Sequence, residues 1–432
     1  MKKTVAVVGL GKIGLPIAVQ ICEKGNLVFG CDTSLASVAK INDGRAPFPG
    51  EEQLENRLAA VVSSKDFAAT SMTTDAVSKS GYVVVVVPLF VNSSGIPDFD
   101  WMDSATRDIA AGLMPGTFVS YETTLPVGTT RNRFAKMLEE GSGLRAGVDF
   151  NLVFSPERVL SGRVFADLRR YPKLVGGLTP ACAEAGVQFY ESVLDFDERP
   201  ELPHQNGVWN LGSCEASEMA KLAETTYRDV NIGLANQFAR YADTQGIDIY
   251  RVIEACNSQP YSHIHQPGIA VGGHCIPIYP QIYLWNDPAA SIVDAARRLN
   301  RDMPRYGIEL LEKVHGNLKD QLVGVFGASY RGGVKETAFS GVFQIVDELQ
   351  KLGAVVKVHD PMYTDDELIS LGFAPFHYGE TLDAAVFQAD HSEYSLLTSA
   401  MLGHARTLLN GRNIRFENSF ANSVSIGAAK FQ

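Results

Sequence analysis

Cys275 sits in the run Gly272-Gly273-His274-Cys275-Ile276-Pro277, and Lys221 in Glu218-Met219-Ala220-Lys221-Leu222. Amides freed by two adjacent glycines can hold an anion or an oxyanion, and a cysteine beside a histidine can act as a thiolate nucleophile. A buried cysteine beside a turn is the other reading these letters allow. Lys221 could stabilise an oxyanion or simply be solvated. Ser155-Pro156-Glu157-Arg158 follows an apolar run at 151–154, so it could set a carboxylate and an arginine at the carboxyl edge of a sheet, or cap a helix through Glu157. The N-terminal residues carry a third constellation, Gly9-Leu10-Gly11-Lys12-Ile13-Gly14, answered by Asp32.

These groups need a scaffold, and the pattern around them supplies one. A β-branched run at 4–8 leads into the glycine turn, a helical pattern follows at 15–23, and a second strand at 26–31 ends on Asp32. In that context Gly9 permits the tight turn, Gly11 admits a pyrophosphate to the backbone, and Gly14 allows close packing of helix on strand. Asp32 would accept hydrogen bonds from the adenosine ribose and repel a 2′-phosphate, which selects NAD. Further strands at 82–87 and 117–121, apolar throughout and separated by helical patterns, indicate a parallel sheet covered on both faces. Residues 199–212, with Pro200, Pro203 and Gly207, read as a linker, and 213–242 as a long central helix. Strands at 321–327 and 354–359, the latter ending on Asp360, repeat the opening arrangement without its triple glycine. The expected fold is α/β, with two Rossmann-like parallel-sheet domains joined by a long central helix. We divide the chain into 1–205, 206–305 and 306–432.

Size and composition agree with an ordinary globular protein. The chain has 432 residues, 45% hydrophobic and 20% charged, with a net charge of −11 that gives no basic footprint for nucleic acid. No apolar run is long enough to cross a bilayer, and the N-terminus has no signal-peptide pattern, so a cytoplasmic location is expected. Six scattered cysteines without CxxC pairs argue against a disulfide framework and a structural metal site, and most should be reduced core residues. A nucleophilic cysteine beside a nicotinamide fold suggests capture of an aldehyde as a thiohemiacetal, loss of a second hydride, and hydrolysis of the thioester to an acid.

The sequence resembles the UDP-glucose/GDP-mannose dehydrogenase family nearly end to end. The resemblance rests on the glycine turn, on 122–130 (Glu-Thr-Thr-Leu-Pro-Val-Gly-Thr-Thr), on Ser155-Pro156-Glu157-Arg158-Val159, on Lys221 with Tyr227-Arg228-Asp229-Val230-Asn231-Ile232, on the Cys275 loop, on Ala389-Asp390-His391 and on Asp360-Pro361. Its Ser-Pro-Glu-Arg and Arg-Asp-Val-Asn-Ile forms look like the branch that oxidises UDP-N-acetylhexosamines. The resemblance implies oxidation of the C6 hydroxymethyl of a UDP-sugar to a carboxylate with NAD, for polysaccharide biosynthesis, by a homodimer or larger oligomer built through the central helical region. It implies Cys275 as nucleophile and Lys221 as oxyanion-stabilising ammonium, with Thr124, Glu157 and Thr225 in the catalytic set. Lys12, Ile13, Pro88 and Thr124 would join Gly9, Gly11, Gly14 and Asp32 around NAD. Glu157, Arg158, Val159, Lys221, Gly272, Gly273, Tyr330 and Arg331 would line the UDP-sugar. Several positions depart from the family pattern: Tyr279 stands for an aspartate, Thr225 for an asparagine, Ala338 and Tyr261 for arginines, Arg331 for a lysine, and Ser161 for the glutamate of many UDP-glucose members. These departures leave two further readings, a single hydride transfer on a nucleotide sugar and a non-catalytic nucleotide-sugar-binding protein.

Overall fold

The computed structural model describes residues 2–92, 94–420 and 422–428. They form two compact units, Met1–Ala223 and Glu224–Gln432. In the first, the strands are β1 (Thr4–Val8), β2 (Leu27–Cys31), β3 (Phe67–Thr70), β4 (Tyr82–Val85), the short hairpin β5 (Phe90–Val91) and β6 (Pro97–Asp98), β7 (Phe118–Tyr121), β8 (Asn151–Phe154), β9 (Lys173–Gly177) and β10 (Val208–Ser213). Eight of them make one sheet in the order β10-β9-β8-β7-β4-β1-β2-β3. The chain moves outward from β1 through β2 to β3, then returns to β4 on the other side of β1. That reversal lies at the carboxyl ends of β1 and β4, where open α/β sheets bind ligands. The helix Gly14–Glu23 is buried along nearly its whole length, and its apolar residues Leu15, Ile17, Val19 and Ile21 share a core with Val5, Val7 and Val84. A helix apolar all round is one that a sheet and its neighbours must enclose.

Two features differ from the sequence reading. The last residues of the segment read as a linker, together with Ser213, form β10, which pairs in parallel with β9 through Val208–Lys173 and Trp209–Leu174. The strand sits at the sheet edge and alternates in exposure, so its polar letters and flanking prolines and glycines resemble a loop. The sheet is also not parallel throughout, because β8 and β9 pair antiparallel through Val153–Gly177 and Phe154–Gly176.

The second unit repeats the theme with β11 (Leu322–Phe326), β12 (Val355–His359), β13 (Ala384–Phe387), β14 (Thr407–Asn410) and β15 (Ser423–Ser425), in the order β12-β11-β13-β14-β15 and parallel at every pair. The helix Val342–Lys351 packs on it, presenting Val342, Ile345, Val346 and Leu349 to the core at helical spacing. The long helix predicted at 213–242 runs from Cys214 to Gln245, and Ser291–His315 is a second long helix. Buried polar groups join the two. Asn236 Nδ2 donates to Asn300 Oδ1 at 2.9 Å, Asn300 Nδ2 donates to Asp229 Oδ1 at 2.8 Å, and Arg297 Nε lies 2.9 Å from Asp229 Oδ2.

His359, the last residue of β12, is packed among Phe326, Tyr378 and Tyr394. Burial pushes its imidazole down from 6.5 to about 4. The unfolded chain therefore binds a proton that the folded chain refuses, and stability is lost as pH falls from 6.5 towards 4, by up to about 3 kcal/mol for this group. Denaturant unfolding at pH 7 and pH 4.5 should show a smaller pH-dependent loss in His359→Phe than in the parent chain; equal losses would remove His359 from the acid response.

Candidate active site

Gly9 adopts φ 95° as the chain leaves β1, and its amide donates to Cys31 O at 2.8 Å. A Cβ here would lie 2.9 Å from Val86 O, so this turn at the β1–β4 switch point admits only glycine. A Cβ on Gly14 would stand 1.9 Å from Gly9 O, whereas one on Gly11 would meet nothing within 4 Å. The turn is closed where helix meets strand and open where a phosphate must approach, with Lys12 and Ile13 between. Asp32 is oriented by two amides, Leu10 N to Oδ2 at 3.0 Å and Ser34 N to Oδ1 at 2.8 Å. These residues fit a dinucleotide, with its pyrophosphate over Gly11 and a ribose at Asp32. Pro88 is exposed just beyond β4, and Thr123 Oγ1 donates to Val87 O at 2.6 Å, which ties the threonine loop to that segment.

At the carboxyl ends of β7 and β8 the first unit holds a buried ionic cluster. Lys173 Nζ lies 2.8 Å from Glu122 Oε2 and 2.7 Å from Glu157 Oε2. Glu122 Oε1 accepts from Tyr190 Oη at 2.6 Å, and Glu157 Oε1 accepts from Arg158 N at 2.7 Å. Burial pushes Glu122 above the ordinary carboxylate range despite Lys173. Burial opposes charge on Glu157 as well, but Lys173, the Arg158 amide and Lys221 outweigh it and hold this carboxyl below its usual value. Thr124 is buried in the same loop, and Arg158 reaches Pro172 O at 3.4 Å. Val159 is half-buried.

The helix Cys214–Gln245 carries Lys221 and, one turn on, Thr225, both buried. A turn earlier, Glu218 accepts from Gly128 N at 2.6 Å, Thr130 N at 2.9 Å and Thr130 Oγ1 at 2.7 Å, so it fastens the helix to the loop that follows Thr124. Burial pushes this carboxyl up to about 7.

In the second unit Cys275 is half-buried, and its carbonyl accepts Tyr279 N at 3.0 Å, at the start of the helix Tyr279–Asn286. Gly273, at φ 88°, donates its amide to Ala338 O at 2.9 Å. A Cβ on Gly272 would lie 2.6 Å from Tyr330 Cβ and 2.8 Å from Phe339 O, so the loop lies flat on the 330–339 segment. Tyr330 and Arg331 are thereby brought beside the cysteine loop, with Arg331 Nε donating to Tyr330 Oη at 3.1 Å. His274 Nε2 is 3.4 Å from Glu336 Oε2. Tyr261 is 92% exposed. Four of the six cysteines are buried, while Cys275 and Cys256 are half-buried.

Sequence reasoning missed Lys173, Glu218 and Arg412. Arg412 follows β14, is half-buried, and donates to Gln388 O at 2.6 Å and Tyr330 O at 2.9 Å, fixing the backbone of the 330 segment. Its signal is position, a charged residue just past the carboxyl end of a strand. Lys173 offers the same signal at the opposite end, a lysine opening the apolar run Lys-Leu-Val-Gly-Gly.

A glycine turn of this form at the switch point of a doubly wound sheet defines a dinucleotide-binding protein. The family models agree: the NAD binding domain of the UDP-glucose/GDP-mannose dehydrogenase family matches residues 3–194, the central domain 215–302, and the UDP binding domain 324–416. The chain belongs to that family and is an NAD-dependent nucleotide-sugar dehydrogenase. It is 34% identical over 421 residues to a UDP-N-acetyl-D-mannosamine dehydrogenase of Pyrococcus horikoshii, covering 95% of each chain. An NDP-N-acetyl-D-galactosaminuronic acid dehydrogenase of Ralstonia nicotianae is 29% identical over 95% of this chain and 96% of its own. The solved structure of a UDP-D-ManNAc dehydrogenase from Pyrococcus horikoshii superposes with a TM-score of 0.86 at 31% identity, covering 98% of this chain and 99% of that one. Among the described residues no helix is long and apolar enough to cross a membrane.

The two glycines of the turn make separable demands. Gly11→Ala should weaken NAD binding about tenfold or more, the loss of about 1.4 kcal/mol, with an unchanged melting temperature. Gly14→Ala should lower the melting temperature by several degrees, because its Cβ meets backbone. Calorimetric titration with NAD alongside thermal unfolding reads both, and a destabilised Gly11→Ala or a fully stable Gly14→Ala would contradict this division.

Proposed function

We propose that this protein oxidises the C6 hydroxymethyl of a UDP-N-acetylhexosamine, or of UDP-glucose, to the uronic acid. The observation that carries the reading is a half-buried Cys275 in a glycine loop, within a chain that also bears the dinucleotide turn. The relatives' names point to UDP-N-acetyl-D-mannosamine as the first substrate to assay. The division into 1–205, 206–305 and 306–432, a cytoplasmic location and a role in polysaccharide synthesis belong to the same proposal.

NAD would be held by Gly9, Gly11, Lys12, Ile13, Gly14, Asp32, Pro88 and Thr124, and two NAD in succession would each accept one of the two hydrides. Glu157 takes the hydroxyl proton. Cys275 adds to the resulting aldehyde as a thiohemiacetal, which becomes the thioester on loss of the second hydride, and Gly272 and Gly273 let this loop lie directly against Tyr330. Lys221 stabilises the oxyanion, and Thr225, one turn away, orients the same region. Water then cleaves the thioester, freeing the thiol and the acid. Arg158, Val159, Tyr330 and Arg331 bind the nucleotide sugar, the arginines through its phosphates. Tyr279 and Thr225 stand where the family carries an aspartate and an asparagine, and this favours, as a second reading, a single hydride transfer.

One assay separates them. The parent chain should form two NADH per sugar with an acid product, and Cys275→Ser should form no acid. A parent stoichiometry of one NADH, or unchanged acid from the serine variant, would sink the two-step reading.

The proposed homodimer has its own support. Tyr227, Leu234, Phe238 and Tyr241 lie on one face of the helix Cys214–Gln245 and are exposed, an apolar stripe suited to a second copy of the chain. Leu234→Glu with Tyr241→Glu should convert a dimer to a monomer in sedimentation equilibrium; a dimer that persists would exclude this face.

A further inference from the structure

Lys173 opens β9 with its side chain 5% exposed, between two carboxylates that are themselves nearly or fully buried. An ammonium taken out of water survives only with counter-charge in direct contact, and losing that charge is costly. Here the contacts form a closed chain. Ser120 Oγ and Tyr190 Oη are 2.7 Å apart, Tyr190 Oη donates to Glu122 Oε1, Glu122 Oε2 meets Lys173, and Lys173 meets Glu157 Oε2. Glu157 N also donates to Glu122 O at 3.1 Å, so the two acidic residues are coupled through backbone as well. With both carboxylates ionised, the trio carries one net negative charge. The ionisable groups facing it are Tyr190 from the helix Pro180–Val193 and Lys221 from the helix Cys214–Gln245.

We propose that Lys173 is a positioning residue, fixing the Glu157 carboxylate in place and in its ionised form, while an ionised Glu122 keeps Lys173 paired during the interval in which Glu157 holds the substrate's proton. The inference rests on the reading of Glu157 as the acid–base group. A base that was the sole partner of a buried cation would strand that cation each time it was protonated. With Glu122 present, a proton passing from a sugar hydroxyl to Glu157, and on to solvent, leaves Lys173 charged and paired throughout.

The test follows the Glu157 carboxyl directly, by NMR titration of protein labelled with carboxyl-13C glutamate, its resonance assigned by its absence in Glu157→Gln. Lys173→Met should raise the Glu157 midpoint by about one pH unit or more, since an adjacent cation is lost, and Lys173→Arg should largely restore it. Glu122→Gln, which keeps the shape and the Tyr190 acceptor, should move the midpoint the opposite way. The acid limb of kcat should follow, with little change in KM for the UDP-sugar. Midpoints unmoved in both Lys173→Met and Glu122→Gln would overturn the proposal. If Lys173→Met does not fold, the downward shift in Glu122→Gln decides alone. Because the titration needs no turnover, shifted midpoints with an unmoved pH–rate profile would support the clamp and refute Glu157 as the acid–base group.

Discussion

Where a parallel strand ends in a glycine turn, the next amides have no strand to bond to, and both units of this protein are organised by how those amides are met. In each, a positive-φ glycine donates to the last carbonyl of the neighbouring strand: Gly9 to Cys31 O at 2.8 Å and Gly327 to His359 O at 2.7 Å. In each, the aspartate that follows that strand accepts the next amide. Asp32 takes Leu10 N, and the turn then stays open at Gly11. Asp360 takes both Ala328 N at 2.8 Å and Ser329 N at 2.9 Å, and His391 Nε2 stands 3.2 Å from the same oxygen. The second turn is therefore filled by its own aspartate. One architecture yields a turn able to receive a phosphate and another already satisfied from within, which gives a physical reason for a single dinucleotide turn in a chain with two such halves.

The same accounting governs charge at the edge of the larger sheet. Glu218 meets two amides and a hydroxyl of the 128–130 loop, and Glu122 and Glu157 meet a lysine, an amide and a phenol. Each buried acid is matched by donors from an element distant in sequence, so the loops that carry Thr124 and Glu157 are held to the strands and to the helix of Lys221. Rigid loops on a rigid sheet are what a site requires if its groups are to sit ready before substrate arrives.

Much of this was legible in the letters. The runs at 82–85 and 151–154, and the helix at 342–351, declare themselves by β-branched or helical periodicity, and the glycine turn by its context between strand and acid. Edge strand β10 was not legible, because an edge needs few apolar residues and tolerates turn-forming neighbours. Nor was the reversed direction of β9, since side-chain alternation is the same either way. Lys173 and Glu218 are residue types that usually lie on the surface, so their letters alone do not single them out. Only the partners that folding brings, 51 residues away for Lys173 and 88 or 90 for Glu218, make them interior.

Those partners bear on how the departures from the family pattern should be weighed. Ser161, where many UDP-glucose members carry a second glutamate, is exposed in a turn. The neighbouring acids are already engaged with backbone: Glu51 accepts Gly162 N and Val164 N, and Asp167 accepts Leu160 N. In this segment, then, the proposed mechanism leaves proton transfer to Glu157. A phenol at Tyr279, four residues after Cys275, supplies neither the charge nor the reach of an aspartate. Hydrolysis of a thioester needs a base in its anionic form, and burial alone would push Glu157 away from that form. The proposed two-step chemistry would thus rest on the cation inside the sheet, and the departures at 161 and 279 would raise the demand on Lys173.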